Sequence, residues 1–247
     1  MDCNVRSLSI RPSNHRRACP VRATKNLSNL QIDGALCISL KNRQDRRDLI
    51  KQEFAHSGLD IEFVIVDADV ENPERGCFDS HIKCATLAVE RQYKTVLILE
   101  DDATLSSFSP QQILRINRFI ARRAPKLLYL GATLGKLWLT WDRGIARLRA
   151  KGTFAYIMSN EGCRELIKLS PYSGTPIDNL FSKSFKAYCS LPLICNHQPE
   201  CVAKSDISTC RIADGTTADE EFWQQNWRRQ YTQAFKNFGK TIIRRDI

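Results

Sequence analysis

Short apolar segments alternate with amphipathic segments along the first half of the chain. Four apolar runs have the length and the β-branched content of buried strands: residues 34–40, 61–68, 95–100 and 126–131. Between them, apolar side chains recur every three to four positions, which predicts helices over residues 43–58, 79–92 and 110–124. This alternation predicts an α/β fold of the Rossmann type, with a mostly parallel central sheet that is flanked by helices.

The pattern changes in the second half of the chain. Residues 135–159 contain short strand-like pieces with aromatic and basic side chains, and a helix is predicted to begin near Asn160. From about residue 171 the chain is loop-rich, and a last helix is predicted over residues 219–238. We therefore expect three parts, which are a basic and unstructured arm, a main domain and a basic helical extension packed on it: residues 1–30, 31–200 and 201–247.

The net charge of +10 is concentrated in the two ends of the 247-residue chain. Basic ends attract phosphate groups, whether these belong to nucleotides, anionic lipids or nucleic acids. No nucleic-acid-binding motif occurs, and the basic residues are not interleaved with aromatic ones, so nucleic acid is the least favoured partner. No secretory signal or membrane-spanning run is evident. We expect a cytoplasmic protein, with a peripheral position on an anionic membrane surface as an alternative.

The ten cysteines show no C-x-x-C pair, and the histidines do not complete a zinc-finger spacing. Several cysteines lie in apolar stretches, where a thiol behaves as a small hydrophobic side chain. We therefore predict that most cysteines are free thiols. Four roughly evenly spaced cysteines leave disulfides or a metal open as alternatives: Cys189, Cys195, Cys201 and Cys210.

Polar groups follow three of the predicted strands at the point where each strand ends. They are residues 41–43, residues 67–69 and the carboxylates Glu100, Asp101 and Asp102. Because ligands bind beyond the carboxyl ends of strands in parallel sheets, these groups predict a ligand-binding edge. Adjacent carboxylates suit a hard divalent cation such as Mg²⁺ or Mn²⁺. The alternative is that the aspartates only cap the following turn.

The motifs in this order resemble those of glycosyltransferase family 25, which includes lipooligosaccharide and collagen hydroxylysine galactosyltransferases. The resemblance is carried by ALCISLKNRQDRRDLIKQEF, VDAD, ERGCFDSHIKC, VLILEDDATL, KGTFAYIMSNEGCRELI and TPIDNLF, and it spans about residues 34–181. Ser39 and the pair Asp69-Val70 depart from the family pattern, which puts the identity of the substrate in doubt more than the chemistry.

The resemblance implies a GT-A type transferase that moves a hexose from a UDP-sugar to a hydroxyl group, with inversion. The donor would be UDP-galactose or UDP-glucose, and the acceptor a glycan, a lipooligosaccharide or a protein hydroxyl. The cofactor would be Mn²⁺ or Mg²⁺, which stabilises negative charge on the leaving diphosphate.

The resemblance also implies roles for individual residues. Glu100 and Asp102 would hold the metal, with His197 as an additional ligand, and Asp102 would thereby take part in catalysis. Asp178 is the candidate general base, although it equally suits a helix cap. The remaining candidates would bind the nucleotide-sugar, alongside Glu100: Leu40, Arg43, Arg47, Asp67, Ser80, His81 and Asp101. For Arg47 and His81, a solvated helix charge and an ordinary buried histidine are the respective alternatives.

Three other functions remain open at the level of the sequence. The net charge allows a nucleic-acid-binding or anionic-surface-binding protein. A transferase fold without activity could serve as a scaffold, although the intact carboxylates argue against this. A nucleotidyltransferase would use similar carboxylates and metal, and would release diphosphate instead of a nucleoside diphosphate.

Overall fold

The computed structural model describes residues 23–198 and 220–243. Eight strands form the main sheet: β1 Gly34–Leu40, β2 Ile61–Val66, β3 Thr95–Glu100, β5 Leu127–Gly131, β6 Leu134–Leu139, β7 Ile145–Lys151, β8 Ala155–Ser159 and β9 Ala187–Ser190. A two-stranded sheet pairs β4 Ala103–Leu105 with β10 Cys195–His197. The helices in this part of the chain are α1 Gln44–Phe54, α2 Pro73–Glu90, α3 Pro110–Arg123, α4 Asn160–Ile167, α5 Ile177–Ser184, α6 Glu220–Lys236 and α7 Phe238–Ile243.

The strand order of the main sheet is β2-β1-β3-β8-β5-β9-β7-β6. Strand β1 pairs in parallel with both β2 and β3, and β5 pairs in parallel with β9. The pairings show that β7 and β8 run opposite to the other six strands. The predicted fold class, α/β with a mostly parallel sheet, is therefore confirmed. The reversal at β7 and β8 falls in the region where the sequence loses its strand–helix alternation.

Helices cover both faces of the main sheet. On one face, Phe78 of α2 and Phe181 of α5 belong to the same buried cluster as Ile98 of β3. On the other face, Ile50 of α1 and Ile116 of α3 pack with further side chains of the sheet. Full burial of each such side chain contributes roughly 1.5–3 kcal/mol. The packing holds the ends of β1, β2 and β3 in a defined arrangement.

Helix α2 begins six residues before the predicted start at residue 79, so this predicted boundary was wrong. The side chain of Asn72 accepts a hydrogen bond from the Arg75 amide, and Pro73 occupies the first helical position. A capping asparagine followed by proline is a typical helix start. Ser80 is not a cap, because its hydroxyl donates to the Gly76 carbonyl within the helix at 2.6 Å.

Residues 23–30, which the prediction placed in an unstructured arm, are packed onto the domain. Thr24 exchanges backbone hydrogen bonds with Phe108, and the side chains of Leu27 and Leu30 are buried. Two leucines thus suffice to anchor this stretch against the sheet. The rest of the predicted arm, residues 1–22, lies outside the described residues.

The predicted helix near the end of the chain is present as α6. It packs along β6, where the indole Nε1 of Trp227 donates to the carbonyls of Ala132 and Thr133.

Within residues 23–198 and 220–243, no helix combines the length and the apolar character that a membrane span requires. Cys189 and Cys195 are buried thiols without a disulfide, whereas Cys201 and Cys210 lie outside the described residues.

Candidate active site

A cavity of about 280 Å³ opens beyond the carboxyl ends of β1, β2 and β3. The ends of these strands, the loop before α2 and the first two turns of α2 form its walls. Seven of the predicted site residues line this cavity: Leu40, Asp67, Ser80, His81, Glu100, Asp101 and Asp102. Arg46 lines it as well. The structure therefore brings most of the predicted nucleotide-sugar residues to one place.

Glu100, the last residue of β3, is held by a buried network of hydrogen bonds. Thr153 donates its hydroxyl to Glu100 Oε1 at 2.7 Å, and His81 Nε2 lies 3.4 Å from the same oxygen. The other imidazole nitrogen of His81 lies 2.8 Å from the Tyr156 hydroxyl. The ring of His81 therefore bridges the Tyr156 hydroxyl and the Glu100 carboxylate. Burial raises the pKa of Glu100, but the hydrogen bonds from His81 and Thr153 outweigh it and keep this pKa below its usual value.

Asp101 forms a buried ion pair with Arg46 of α1. Arg46 Nη1 donates to Asp101 Oδ1 at 2.9 Å, and each side chain is only 8% exposed. The pair neutralises one of the three adjacent carboxylates, because a buried charge requires a partner of opposite sign. Asp101 therefore joins α1 to the end of β3 while it also borders the cavity.

Asp102 is the carboxylate that its surroundings leave unsatisfied. Its Oδ1 atom is buried and accepts no hydrogen bond from the described residues. Burial, followed by repulsion from Glu100, raises the pKa of Asp102 to about 7. A buried oxygen acceptor without a donor is costly, and either a proton or a cation relieves that cost. The donor set at this position is therefore suited to a divalent cation.

The contribution of Asp102 to the free energy of unfolding of the metal-free protein is expected to fall as the pH rises from about 4 to about 7. An unfolded aspartate has a pKa of about 3.9, whereas folded Asp102 titrates near 7, so only the folded state holds this proton in the interval. A shift of this size corresponds to a loss on the order of 2–4 kcal/mol across the interval. Urea unfolding at about pH 5 and about pH 7.5, after chelation of metals, measures the difference.

The matched variant for this measurement is Asp102→Asn, since asparagine does not titrate. As the pH rises, the wild type should lose free energy of unfolding relative to this variant, by the amount that Asp102 contributes. Equal pH dependence in the two proteins would contradict the raised pKa of Asp102.

Two predicted phosphate-binding arginines do not line the cavity. Arg47 donates to the Ser39 hydroxyl and to the carbonyls of Leu40 and Lys41, at 2.5 to 3.0 Å, and is buried. It is therefore neither a solvated charge nor a cavity residue, and it supports the turn that follows β1. Arg43 directs its guanidinium to Asp45 in the first turn of α1.

His197 and Asp178 also lie outside the walls of the cavity. The His197 ring packs edge-on against Phe154 and Trp223, and its Nδ1 lies 2.9 Å from the Gln198 carbonyl. Asp178 sits in the first turn of α5 and accepts a hydrogen bond from the Asn179 amide at 2.6 Å, but the N-cap of this helix is Pro176, so Asp178 is not the cap that the alternative predicted. The metal role of His197 and the base role of Asp178 remain predictions.

The structure adds residues that the sequence reasoning did not assign to the site. Arg46 and Thr153 hold carboxylates, and Tyr156 holds the ring of His81. The backbone amide of Gln198 donates to the Asp102 carbonyl. A signal for three of them was present, because Arg46 lies in the first motif, and Thr153 and Tyr156 lie in the segment KGTFAYIMSNEGCRELI. No motif singled out Gln198.

Comparisons with known proteins agree with the motifs. Residues 66–149 match the family model "Glycosyltransferase family 25 (LPS biosynthesis protein)". Two relatives named "Glycosyltransferase 25 family member" are similar to this chain: one from Drosophila melanogaster, at 27% identity over 64% of this chain and 31% of the relative, and one from Drosophila pseudoobscura pseudoobscura, at 25% identity over 67% and 32%. Among solved structures, A197 from STIV aligns with a TM-score of 0.42 and 13% identity over 70% of this chain and 98% of that chain.

The family model and the two relatives confirm the resemblance to glycosyltransferase family 25. The matched region contains the segments VDAD, ERGCFDSHIKC and VLILEDDATL, and therefore most of the residues that form the cavity. The chain spans about a third of the length of the curated relatives it matches.

Proposed function

We propose that this chain is a metal-dependent glycosyltransferase that moves a hexose from a UDP-sugar to a hydroxyl acceptor with inversion. The observation that carries the proposal is the unsatisfied Asp102 carboxylate beside Glu100, at the end of a strand in the region that matches the family model. A divalent cation, bound together with the diphosphate of a sugar nucleotide, would supply positive charge beside these two carboxylates.

Glu100 and Asp102 would hold the cation. When bound, a divalent cation stabilises the negative charge that develops on the leaving diphosphate. The described residues contain no group of three or more His, Cys, Asp or Glu side chains arranged around a metal position. Waters and phosphate oxygens commonly complete the coordination of Mg²⁺, so two carboxylates suffice for a site that is filled together with its substrate.

The residues around the cavity prepare it for such a ligand. The ion pair with Arg46 removes the charge of Asp101 from the cluster, which limits repulsion before the cation arrives. Hydrogen bonds from Thr153 and His81 orient the Glu100 carboxylate, so that little rearrangement is needed on binding. The nucleoside would lie along Leu40 and Asp67, at the ends of β1 and β2.

Inversion requires a base that accepts the proton of the attacking hydroxyl group. Asp178 remains the proposed base. Burial and the negative charge of Asp178 both raise the pKa of Tyr129. The proposed acceptors are a glycan, a lipooligosaccharide or a protein hydroxyl, and the proposed donors are UDP-galactose and UDP-glucose.

The proposal predicts that the protein releases UDP from one member of a panel of UDP-sugars. Release should require Mn²⁺ or Mg²⁺, stop on addition of a chelator and resume when the metal is restored, because the cation stabilises the leaving diphosphate. Slow hydrolysis by water replaces transfer when the acceptor is absent, so the assay needs no known acceptor. A protein that neither binds nor turns over any of these sugar nucleotides, with or without metal, would contradict the proposal.

A further inference from the structure

Two side chains, one just after β3 and one just after β10, place buried oxygen acceptors that accept no hydrogen bond from the described residues. They are Asp102, through Oδ1, and Gln198, through Oε1. Gln198 is only 8% exposed, so water does not readily replace a missing partner. Two unsatisfied acceptors close together indicate that one positively charged or donating group belongs between them.

The pairing of β4 with β10 brings these residues together. Ala103 lies opposite His197 in this antiparallel ladder. The backbone amide of Gln198 donates to the backbone carbonyl of Asp102 at 2.7 Å, so Gln198 lies opposite Asp102. Side chains of directly opposed residues in an antiparallel ladder leave from the same face, with their Cβ atoms about 4.5–5.5 Å apart. Continuation of the ladder by this one pair would place the side chains of Asp102 and Gln198 beside each other on one face.

The same alternation directs His197 to the other face of the ladder. Successive side chains of a strand point to opposite sides. In agreement, the His197 ring packs against Phe154 and Trp223. The register of this short ladder thus favours Gln198 over His197 as the partner of Asp102.

We propose that Gln198 supplies its side-chain carbonyl oxygen to the same divalent cation as Asp102, an inference that rests on the metal-dependent function proposed above. Amide carbonyls and carboxylates are both ligands of hard divalent cations. A neutral oxygen adds a ligand without adding repulsion to a cluster that already contains Glu100. Gln198, from the last part of the domain, is then a further ligand of the cation site at the end of β3.

The test is the affinity of the metal-stripped protein for Mn²⁺, measured by titration calorimetry and by the electron paramagnetic resonance of free Mn²⁺, without nucleotide or acceptor. Gln198→Ala is expected to weaken binding by about tenfold or more. Gln198→Glu keeps an oxygen in place and adds a charge, so it should bind Mn²⁺ at least as tightly as the wild type. Asn196→Ala, on an exposed position of the same strand, should match the wild type.

Each other outcome has a defined meaning. Unchanged Mn²⁺ affinity in Gln198→Ala would overturn the inference, and a loss in His197→Ala alone would assign the ligand to His197. If Gln198→Ala binds Mn²⁺ normally but binds the UDP-sugar more weakly, Gln198 contacts the sugar nucleotide and the inference is wrong. A wild-type protein that binds no Mn²⁺ would instead contradict the metal dependence of the proposed function. Thermal melts in chelator identify variants that fail to fold.

Discussion

Asp102→Asn is expected to reduce UDP-sugar turnover on the order of 100-fold or more, while the protein stays folded. Asparagine keeps the size of the side chain but removes the negative charge that would bind the cation. Loss of a charge-stabilising group at a leaving group typically costs this much in rate. In the wild type, the buried Asp102 oxygen without a donor represents a cost to stability at neutral pH. The variant should therefore be at least as stable as the wild type near pH 7.5, although it is inactive.

The measurement combines UDP release at saturating Mn²⁺ with urea unfolding of the same preparations. Asp48→Asn is the matched control, because Asp48 is an exposed aspartate of α1, outside the walls of the cavity, and its pair with Lys51 is exposed. The control should retain full turnover. Turnover by Asp102→Asn within about twofold of the wild type would remove Asp102 from the proposed mechanism. A variant that is both inactive and unfolded would contradict the predicted separation of activity from stability.

Arg46→Met is expected to lower the free energy of unfolding by about 3–5 kcal/mol. Methionine occupies much of the volume of the arginine stem, so the main loss is the partner of the buried Asp101 carboxylate. Removal of one member of a buried ion pair leaves an uncompensated charge, which costs far more than the pair contributes. Because Asp101 lies between Glu100 and Asp102, nucleotide and metal binding should weaken as well.

Two comparisons test this explanation. Arg91→Met breaks the largely exposed pair with Glu62 and should cost only about 0–1 kcal/mol. The double variant Arg46→Met/Asp101→Asn should recover most of the stability lost in Arg46→Met, because it removes the unpaired charge together with its former partner. A loss in Arg46→Met no larger than that in Arg91→Met would show that Asp101 is not held as a buried ion.

Local pattern was sufficient to predict most of the secondary structure that forms the cavity. The runs at 34–40 and 95–100 are the strands β1 and β3, because a short apolar and β-branched segment has few stable alternatives in a domain of this size. The start of α2 was misplaced because Asn72-Pro73 and Asp79-Ser80 both resemble helix starts. Only the backbone conformation distinguishes a cap from a polar residue inside a helix.

The site residues likewise divide into those that a local pattern predicts and those that only the fold brings together. Glu100 and Asp102 could be predicted from the sequence because their position at the end of a strand is a local property. The partners of Asp101 and Glu100 could not be predicted from spacing, since Arg46 is 55 residues from Asp101 and Thr153 is 53 residues from Glu100. Their meeting depends on how α1 and β8 are placed against β3.

By itself, the sequence determined the α/β class, the polar edge of the sheet and the acidic cluster, because short-range periodicity and chain order encode these features. The tertiary structure alone decided which of the three carboxylates keeps an unsatisfied oxygen. Asp101 is paired by Arg46, and Glu100 is held by Thr153 and His81, whereas Asp102 keeps an unsatisfied oxygen. The register of β4 and β10 likewise favours Gln198 over His197 as the proposed partner of Asp102. Both outcomes depend on contacts between residues far apart in the chain, which no local pattern specifies.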